Sequence, residues 1–466
     1  MQFDQIFKAY DIRGTYPDQI NEAKFKRIAM AYAQFLKNKI AIQSKGAASS
    51  STPLRVVVGR DVRLSGPKLE KAVIDGLIEA GVDVTDIGSV PTEMLYFAAG
   101  YYHFDGGIQV SASHNPKEFN GLKLLAAGVE AISGDTGLTE IKKLAESSDN
   151  LVSLIPGELE SREVEEDYFD FLTKFVHFDA GRPLKVVANA NFGFSGEVTQ
   201  RLLARLVTSH VNLIELNFKP DGNFPKGRPD PLIPANREET SELIKATNAN
   251  FGVSWDGDGD RCFITDEKGE PIEGCHLTAL LAEHLLKTHP GEKIIYDPRN
   301  VWATEATVQV AGGVPILNKA GHTFIKNRMR QEDALFAGEM SGHFYFRDFY
   351  YADNGLIPFL LFLNIVTEDK RPVSEIVRPL REKFFVSGEI NFEVTDKAAM
   401  MKKAESTYPD GQIDRTDGLS ISFDHSWRFN LRPSNTENLL RLNVEANGQA
   451  ICTEKTAELT ALIKAA

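Results

Sequence analysis

Four short stretches of the 466-residue chain carry side chains whose types and spacing suit chemistry. The first, Ser111-Ala112-Ser113-His114-Asn115-Pro116, joins hydroxyls and a histidine to small residues and a proline that fixes a turn. Such a turn can hold a nucleophile rigidly above the end of a strand. Spacing leaves Ser111 and Ser113 as competitors and a plain polar turn as the bland alternative, since the pattern is neither a G-x-S-x-G elbow nor a Walker loop. The second stretch, Asp256-Gly257-Asp258-Gly259-Asp260-Arg261, sets three carboxylates at alternate positions with glycines between them. The backbone can then fold tightly and aim several oxygens at one hard cation. Without a cation or Arg261 those charges repel. The register also matches an EF-hand at Asp256, Asp258, Asp260 and Glu267, but Arg261 stands where the sharp turn needs glycine, and the flanks read as strands. A catalytic Mg²⁺ site with open positions fits better.

The third stretch, Gly338-Glu339-Met340-Ser341-Gly342-His343, offers a carboxylate and a hydroxyl two residues apart, the acceptor and donor types that neighbouring sugar hydroxyls require. In the fourth, Arg432-Pro433-Ser434-Asn435-Thr436-Glu437, a guanidinium fork, hydroxyls and backbone amides suit a phosphate. Taken alone, each is equally a self-capped or glycine-bracketed turn.

Elements that could position these loops follow from the hydrophobic pattern. Leu54–Val58 reads as a buried strand, Ser65 as the cap of a helix that Gly81 closes, and Val82–Ile87 as the next strand, a β-α-β unit that implies a parallel sheet. The same order returns in Leu184–Ala188 with a helix near Gly196–Leu206, and again in Lys293–Tyr296, Trp302–Val310 and Val314–Leu317. From about Phe385 the pattern changes to strands at Glu389–Val394, Leu419–Phe423 and Leu439–Val444, with helices at Ala398–Thr407 and Thr453–Lys464. The expected fold is α/β, with three similar mixed α/β-sheet domains over residues 1–157, 158–268 and 269–378, and a C-terminal α+β domain over 379–466. Gly107–Val110, Phe251–Trp255 and Ala334–Ala337 each lead as a strand into one of the first three loops, and open α/β folds bind ligands at such strand ends. A shared central cleft is therefore expected. Ser44–Pro53, rich in Gly, Ala and Ser, reads as a flexible loop.

The composition narrows the class. The chain is too long for one hydrophobic core, and with 42% hydrophobic and 25% charged residues it is ordinary globular material. No run spans a bilayer, and Met1–Lys8 does not read as a cleavable signal. A net charge of −13 argues against the basic surface that nucleic acid demands and gives no reason to expect binding to an acidic membrane, so a bound phosphate must be held by local donors. Cys262, Cys275 and Cys452 show no pairing or metal spacing and read as buried free thiols of a reducing compartment, hence a cytoplasmic protein.

Together and in this order, the four loops resemble the α-D-phosphohexomutase superfamily over essentially the whole chain. S-A-S-H-N-P and G-E-M-S-G-H most resemble its bacterial phosphomannomutase/phosphoglucomutase group. The resemblance implies four domains around one cleft, which in chain order carry the phosphoserine, the metal, the sugar-recognition loop and a phosphate site. It implies an intramolecular phosphotransferase that interconverts hexose 6-phosphate and hexose 1-phosphate, of mannose or glucose, with Mg²⁺ and a hexose 1,6-bisphosphate as intermediate and activator. By the same resemblance Ser113 is the phosphoserine, a choice spacing leaves open, and Asp256, Asp258 and Asp260 join its phosphate in holding the metal. Lys123 and Arg261 flank the reacting phosphoryl group, and Tyr10 and Arg13 line the cleft. Lys319-Ala320-Gly321-His322 adds a further loop, Glu339 and Ser341 grip sugar hydroxyls, and His322 and His343 are ligands whose acid/base roles stay open. Arg432, Ser434, Asn435 and Thr436 hold the phosphate that is not reacting.

Two rivals are a phosphoglucosamine mutase, disfavoured by Met340 where glutamine is usual, and a non-catalytic phosphosugar-binding relative, disfavoured by the retained Ser113 and aspartates. The chain departs from the family pattern at Gly259, Asn438 and Asp221–Arg228 without removing a catalytic group. The expected partner is a small phosphosugar, with monomer and dimer both open.

Overall fold

A computed structural model describes residues 3–43, 53–177, 182–206, 210–424, 426–434 and 439–465. The loop read at Ser44–Pro53 lies, Pro53 apart, outside the described residues, as do Asn435 and Thr436. Four sheets follow one another along the chain. In the first, Leu54–Arg60 runs parallel to Val82–Ser89 on one side and Gly106–Val110 on the other. Phe119–Ala126 and then Ile12–Thr15 extend the sheet antiparallel. Val56, Val57 and Val58 are fully buried, as expected of a parallel strand covered on both faces.

Ser65 stands at the start of the helix Gly66–Glu79 but does not cap it with its side chain. Its Oγ accepts instead from Asn120 Nδ2 at 2.9 Å, which ties the helix to the strand that carries Lys123. The short strand Leu159–Ser161 pairs in parallel with Val82–Ser89, so the first sheet runs past residue 157, where the sequence suggests a boundary. Three exposed residues at a sheet edge are too few to display a period.

The second sheet runs in the order Cys262–Asp266, Phe251–Trp255, Leu184–Asn189 and Val211–Leu216. In the third, Lys293–Tyr296 lies parallel to both Val314–Leu317 and Phe336–Gly338, and Phe344–Phe346 adds on antiparallel. The helix Val373–Arg381 contains residue 378, where a domain boundary was expected. The C-terminal sheet is antiparallel around Trp427–Pro433, with Leu419–Phe423 and Leu440–Ala446 beside it.

One apolar core runs without a break through parts of the first three sheets. Phe97, Tyr168, Val186, Phe251, Trp255, Phe336 and most of the helix Leu356–Asp369 belong to it. The C-terminal sheet has a separate core around Leu419, Phe429, Leu431, Leu442 and Val444. The three cysteines are buried and free. Among the described residues no helix is long and apolar enough to cross a membrane.

Candidate active site

The buried strand Gly106–Val110 leads directly into the first loop. There Ser113 has φ +47°, the left-handed region that residues with side chains seldom occupy. Such a conformation persists only where its surroundings enforce it. Arg63, fully buried, is the main restraint: Nη2 donates to the carbonyls of Ser113 at 2.8 Å and Asn115 at 2.7 Å. Its Nη1 donates to those of Pro116 at 2.7 Å and Phe119 at 2.9 Å, and Nε meets Asp61 Oδ2 at 3.1 Å. Arg13 adds bonds to the Ala112 carbonyl at 3.3 Å and to Asn115 Oδ1, while pairing with Asp11 at 2.6 Å.

The two serines then separate by what they face. Ser111 Oγ accepts from the Ser113 backbone N–H at 2.9 Å and donates to Asp258 Oδ2 at 3.0 Å, so it braces the turn. Ser113 Oγ donates to Asp256 Oδ2 at 2.9 Å and accepts from Arg261 Nη2 at 3.1 Å. His114 Nδ1 accepts from the same Nη2. Burial, then the charges of Arg261 and Arg13, hold this imidazole well below its ordinary pKa, hence neutral.

Phe251–Trp255 and Cys262–Asp266 form an antiparallel hairpin, and the acidic run is its turn. Strands, not helices, flank the loop, which is incompatible with an EF-hand. Gly259 takes φ +83°, and a Cβ on Gly257 would come within 2.9 Å of the Ser113 carbonyl oxygen, so glycine lets the two loops touch. Asp256, Asp258 and Asp260 are buried with ligand atoms all within 4.8 Å of one another. Lys123 Nζ spans Asp258 Oδ2 at 2.6 Å and Asp260 Oδ2 at 2.5 Å, and Arg261 Nε lies 3.2 Å from Asp256 Oδ2.

Burial pushes the Asp256 carboxyl well above the usual carboxylate range, with Asp260 and Asp258 adding to the rise and Arg261 opposing it. Burial acts the same way on Asp260, but Lys123 and His343 override it and hold that group well below the range. The Oδ1 atoms of Asp258 and Asp260 are buried and accept no hydrogen bond among the described residues. Bare buried carboxylate oxygens are costly, and an all-oxygen anionic set of this kind fits a hard divalent cation.

The third sheet delivers the sugar-type loop at the end of Phe336–Gly338. Glu339 Oε1 accepts from Gly321 N at 2.8 Å and Oε2 from the Tyr345 hydroxyl at 2.5 Å. Ser341 Oγ lies 2.9 Å from His343 Nδ1, and His343 Nε2 lies 3.6 Å from Asp260 Oδ1. This loop therefore reaches both the Lys319–His322 segment and the acidic turn. His322 opens the helix His322–Glu332, with its ring edge-on to Tyr10 at 5.5 Å. Burial, then Lys326 and Lys123, keep it neutral by holding its pKa well below the ordinary value. Lys319 Nζ sits 4.5 Å from the ring centre of Phe324, which Tyr10 also meets edge-on at 5.8 Å.

On the C-terminal sheet, Arg432 Nε lies 3.5 Å from Asp417 Oδ2, which also accepts from Ala320 N at 3.3 Å. Ser434 N donates to Leu439 O at 2.8 Å across the base of its loop. The described residues singled out by sequence thus form one connected set of loops. Arg13 grips loop backbone and Asn115, and among the described residues its hydrogen bonds go to Asp11, the Ala112 carbonyl and Asn115.

Sequence reasoning missed Arg63 and Arg299. Arg299 takes Asp297 bidentately at 2.9 and 2.7 Å and lies 3.6 Å from Glu339. A signal existed. Asp61-Val62-Arg63 and Asp297-Pro298-Arg299 each follow the first strand of a β-α-β unit, and in both the aspartate accepts the arginine's own backbone N–H, at 3.0 and 2.9 Å. The unusual Asp221–Arg228 segment also finds a place here. Phe224 lies under the Arg63 guanidinium at 5.1 Å, and just beyond the segment Asp230 approaches Arg261 at 3.7 Å.

Four models of the phosphoglucomutase/phosphomannomutase family match in succession: alpha/beta/alpha domain I over residues 4–151, domain II over 166–269, domain III over 273–384, and the C-terminal domain over 389–461. The chain is 45% identical to a phosphomannomutase of Salmonella typhimurium, over 98% of both chains. It is 43% identical to the phosphohexose mutases of Xanthomonas campestris pv. campestris, over 98% of this chain and 99% of that one. A crystal structure of a phosphoglucomutase/phosphomannomutase family protein from Burkholderia thailandensis superposes with a TM-score of 0.85 at 32% identity, covering 100% of this chain and 98% of that chain. The fold and site thus define an enzyme of the phosphohexose mutase class. The chain belongs to the phosphoglucomutase/phosphomannomutase family.

Proposed function

We propose that the enzyme moves a phosphoryl group between the 6- and 1-hydroxyls of a hexose, through phosphorylated Ser113 and a hexose 1,6-bisphosphate. The observation that carries this reading is the placement of Ser113 Oγ, 2.9 Å from Asp256 Oδ2 and 3.1 Å from Arg261 Nη2, at the apex of a braced turn. In the forward half, the phosphoserine P–O bond breaks as the free hydroxyl of the bound hexose phosphate forms a P–O bond. The hydroxyl proton leaves and the serine oxygen regains one. The bisphosphate then turns over in the cleft, and its other phosphoryl group returns to Ser113.

Asp256, Asp258 and Asp260, with the serine phosphate, would hold Mg²⁺, whose charge when bound neutralises the phosphoryl oxygens. Arg261 and Lys123 add fixed positive charge beside the same atoms, and phosphoryl transfer depends chiefly on such positioning and neutralisation. Neutral His322 has one ring nitrogen able to accept a hydrogen bond and the other able to donate one. Arg13 keeps the turn rigid, Tyr10, Lys319 and His343 line the sugar side, and Arg432, Ser434, Asn435 and Thr436 hold the remote phosphate. The buried free thiols support a reducing, cytoplasmic setting.

Glu339 and Ser341 suit the hydroxyls that glucose and mannose share, and the four motifs offer no evident partner for C2, where the two sugars differ. Hydrogen-bond discrimination is large only where a mismatch strands a buried partner. Glucose 1-phosphate and mannose 1-phosphate are therefore both substrates, with kcat/KM values within roughly 30-fold, equivalent to about 2 kcal/mol. The test is hexose 6-phosphate formation from each sugar with Mg²⁺ and a trace of hexose 1,6-bisphosphate. Ser113→Ala should lower turnover by about 10³-fold or more, because no equivalent carrier remains. A preference of several thousandfold for one sugar would contradict the dual-substrate reading.

A further inference from the structure

Thr92 belongs to none of the four loops, and its residue type alone promises no chemistry. It opens the helix Thr92–Tyr101, which follows the first-sheet strand Val82–Ser89, and it is fully buried. Its partner is Asp258, in the turn of the second sheet. The Thr92 backbone N–H donates to the Asp258 carbonyl oxygen at 2.9 Å, and Thr92 Oγ1 donates to Asp258 Oδ2 at 2.6 Å. One residue thus grips both the main chain and the side chain of an aspartate of the acidic turn. A hydroxyl-to-carboxylate bond of that length is of the strong, charge-assisted kind.

The grip is itself anchored. Just before Thr92, the Val90 N–H donates to Arg60 O at 2.9 Å, and Val90 O accepts from Gln109 Nε2 at 3.0 Å. Both partners lie on central strands of the first sheet, and the strand of Gln109 is the one that leads into the Ser113 turn. A Cβ on Gly259 would come within 3.1 Å of Pro91 Cβ and 3.2 Å of Glu93 Oε2, so the acidic turn packs on the residues either side of Thr92. The two oxygens of Asp258 are engaged unequally. Oδ2 accepts from Thr92 Oγ1, from Ser111 Oγ at 3.0 Å and from Lys123 Nζ at 2.6 Å, whereas Oδ1 is buried and accepts no hydrogen bond among the described residues. A carboxylate held in this way has one oxygen to offer a cation and cannot swing to offer both.

We infer that Thr92 is a positioning residue for the metal, which fixes Asp258 as a one-oxygen ligand and thereby favours Mg²⁺ over Ca²⁺. The inference rests on the Mg²⁺ site proposed above and names what sets its selectivity. Mg²⁺ is small and demands near-ideal octahedral geometry, whereas Ca²⁺ is larger and takes carboxylates through one oxygen or two in flexible arrangements. Restraint of Asp258 therefore matters more to Mg²⁺. Of the three donors to Oδ2, Ser111 also braces the Ser113 turn and Lys123 also pairs with Asp260. Thr92 is the donor that holds Asp258 at both ends, and groups that orient a metal ligand from behind commonly matter nearly as much as the ligand.

The test is calorimetric titration of Mg²⁺, and separately of Ca²⁺, into the unmodified enzyme and its variants, matched for Ser113 phosphorylation by intact mass. Metal binding is then read without turnover. Thr92→Val keeps the shape and loses the hydroxyl, and it should weaken Mg²⁺ by about 10-fold but Ca²⁺ by less than about 3-fold. Thr92→Ser restores the hydroxyl and should bind both ions within about 2-fold of the unmodified enzyme. Thr92→Ala carries the comparison should the valine variant fail to fold. Unchanged Mg²⁺ affinity without the hydroxyl, equal weakening of both ions, or a serine variant as weak as the valine one overturns the inference. Failure of the unmodified enzyme to bind Mg²⁺ at all overturns the metal reading itself, which keeps the two failures distinct.

Discussion

The Ser113 turn and the Arg432 loop are both read as holding a phosphate, yet they are built in opposite ways. The turn stands at the end of a fully buried strand, and its backbone carbonyls are captured by a buried arginine at 2.7–2.9 Å. It abuts an acidic loop whose flanking strands lie on the apolar core that runs through the first three sheets. The Arg432 loop rises from a sheet with its own separate core. That sheet meets the third through polar contacts: Glu445 accepts from Val301 N at 2.8 Å and Trp302 N at 3.1 Å, and Arg428 donates to Pro298 O at 3.0 Å.

The difference matches what each phosphate would need. A reacting phosphoryl group needs fixed geometry, since a small misplacement is costly in rate. A remote phosphate needs charge and a fork, on a body that can let the substrate in and out, and polar interdomain contacts resemble the interfaces of transient partners.

This contrast can be broken from either side. The largest effect is expected at the braced end, where Arg63→Lys keeps the charge but loses the fork that holds four carbonyls. Turnover should fall by about 10²-fold with KM changed less than about 3-fold, because positioning is lost and ground-state binding is not. A rise in KM alone would show that Arg63 does not act through the turn. Next in size, Asp258→Asn should weaken Mg²⁺ activation by about 10-fold, since it removes one ligand charge, while the chain still folds because the amide keeps the volume and Lys123 keeps Asp260 as a partner. An unchanged Mg²⁺ dependence would move the metal site elsewhere. The smallest loss of turnover belongs to the remote end. Arg432→Ala should raise KM by about 10-fold and lower kcat only a few-fold, as expected of contacts shared by ground and transition states. An unchanged KM would remove Arg432 from the phosphate site.

Much of this organisation was legible in the sequence, where local pattern and local chemistry coincide. Lys293–Tyr296, Trp302–Val310 and Leu419–Phe423 have the bounds expected of them, because β-branched runs and turn residues mark them sharply. The helix Leu356–Asp369 went unread. It is buried on nearly every side, so it is apolar all round and shows no helical period.

The acidic loop announced its chemistry through three charges in five residues, whereas Arg63 and Arg299 act on partners far along the chain and looked like any surface arginine. Only the repeated D-x-R after a strand could have marked them. Spacing could not divide Ser111 from Ser113 either. What divides them is long-range: Ser111 Oγ faces its own turn and Asp258, and Ser113 Oγ faces Asp256 and Arg261.

The claim on which the rest depends is that Ser113 carries the phosphoryl group. It is tested most directly by incubating the enzyme with Mg²⁺ and glucose 1,6-bisphosphate, then mapping the phosphate by peptide mass spectrometry. One phosphate per chain is expected, on Ser113, and none in Ser113→Ala. Phosphate on Ser111, or undiminished turnover in Ser113→Ala, would contradict it.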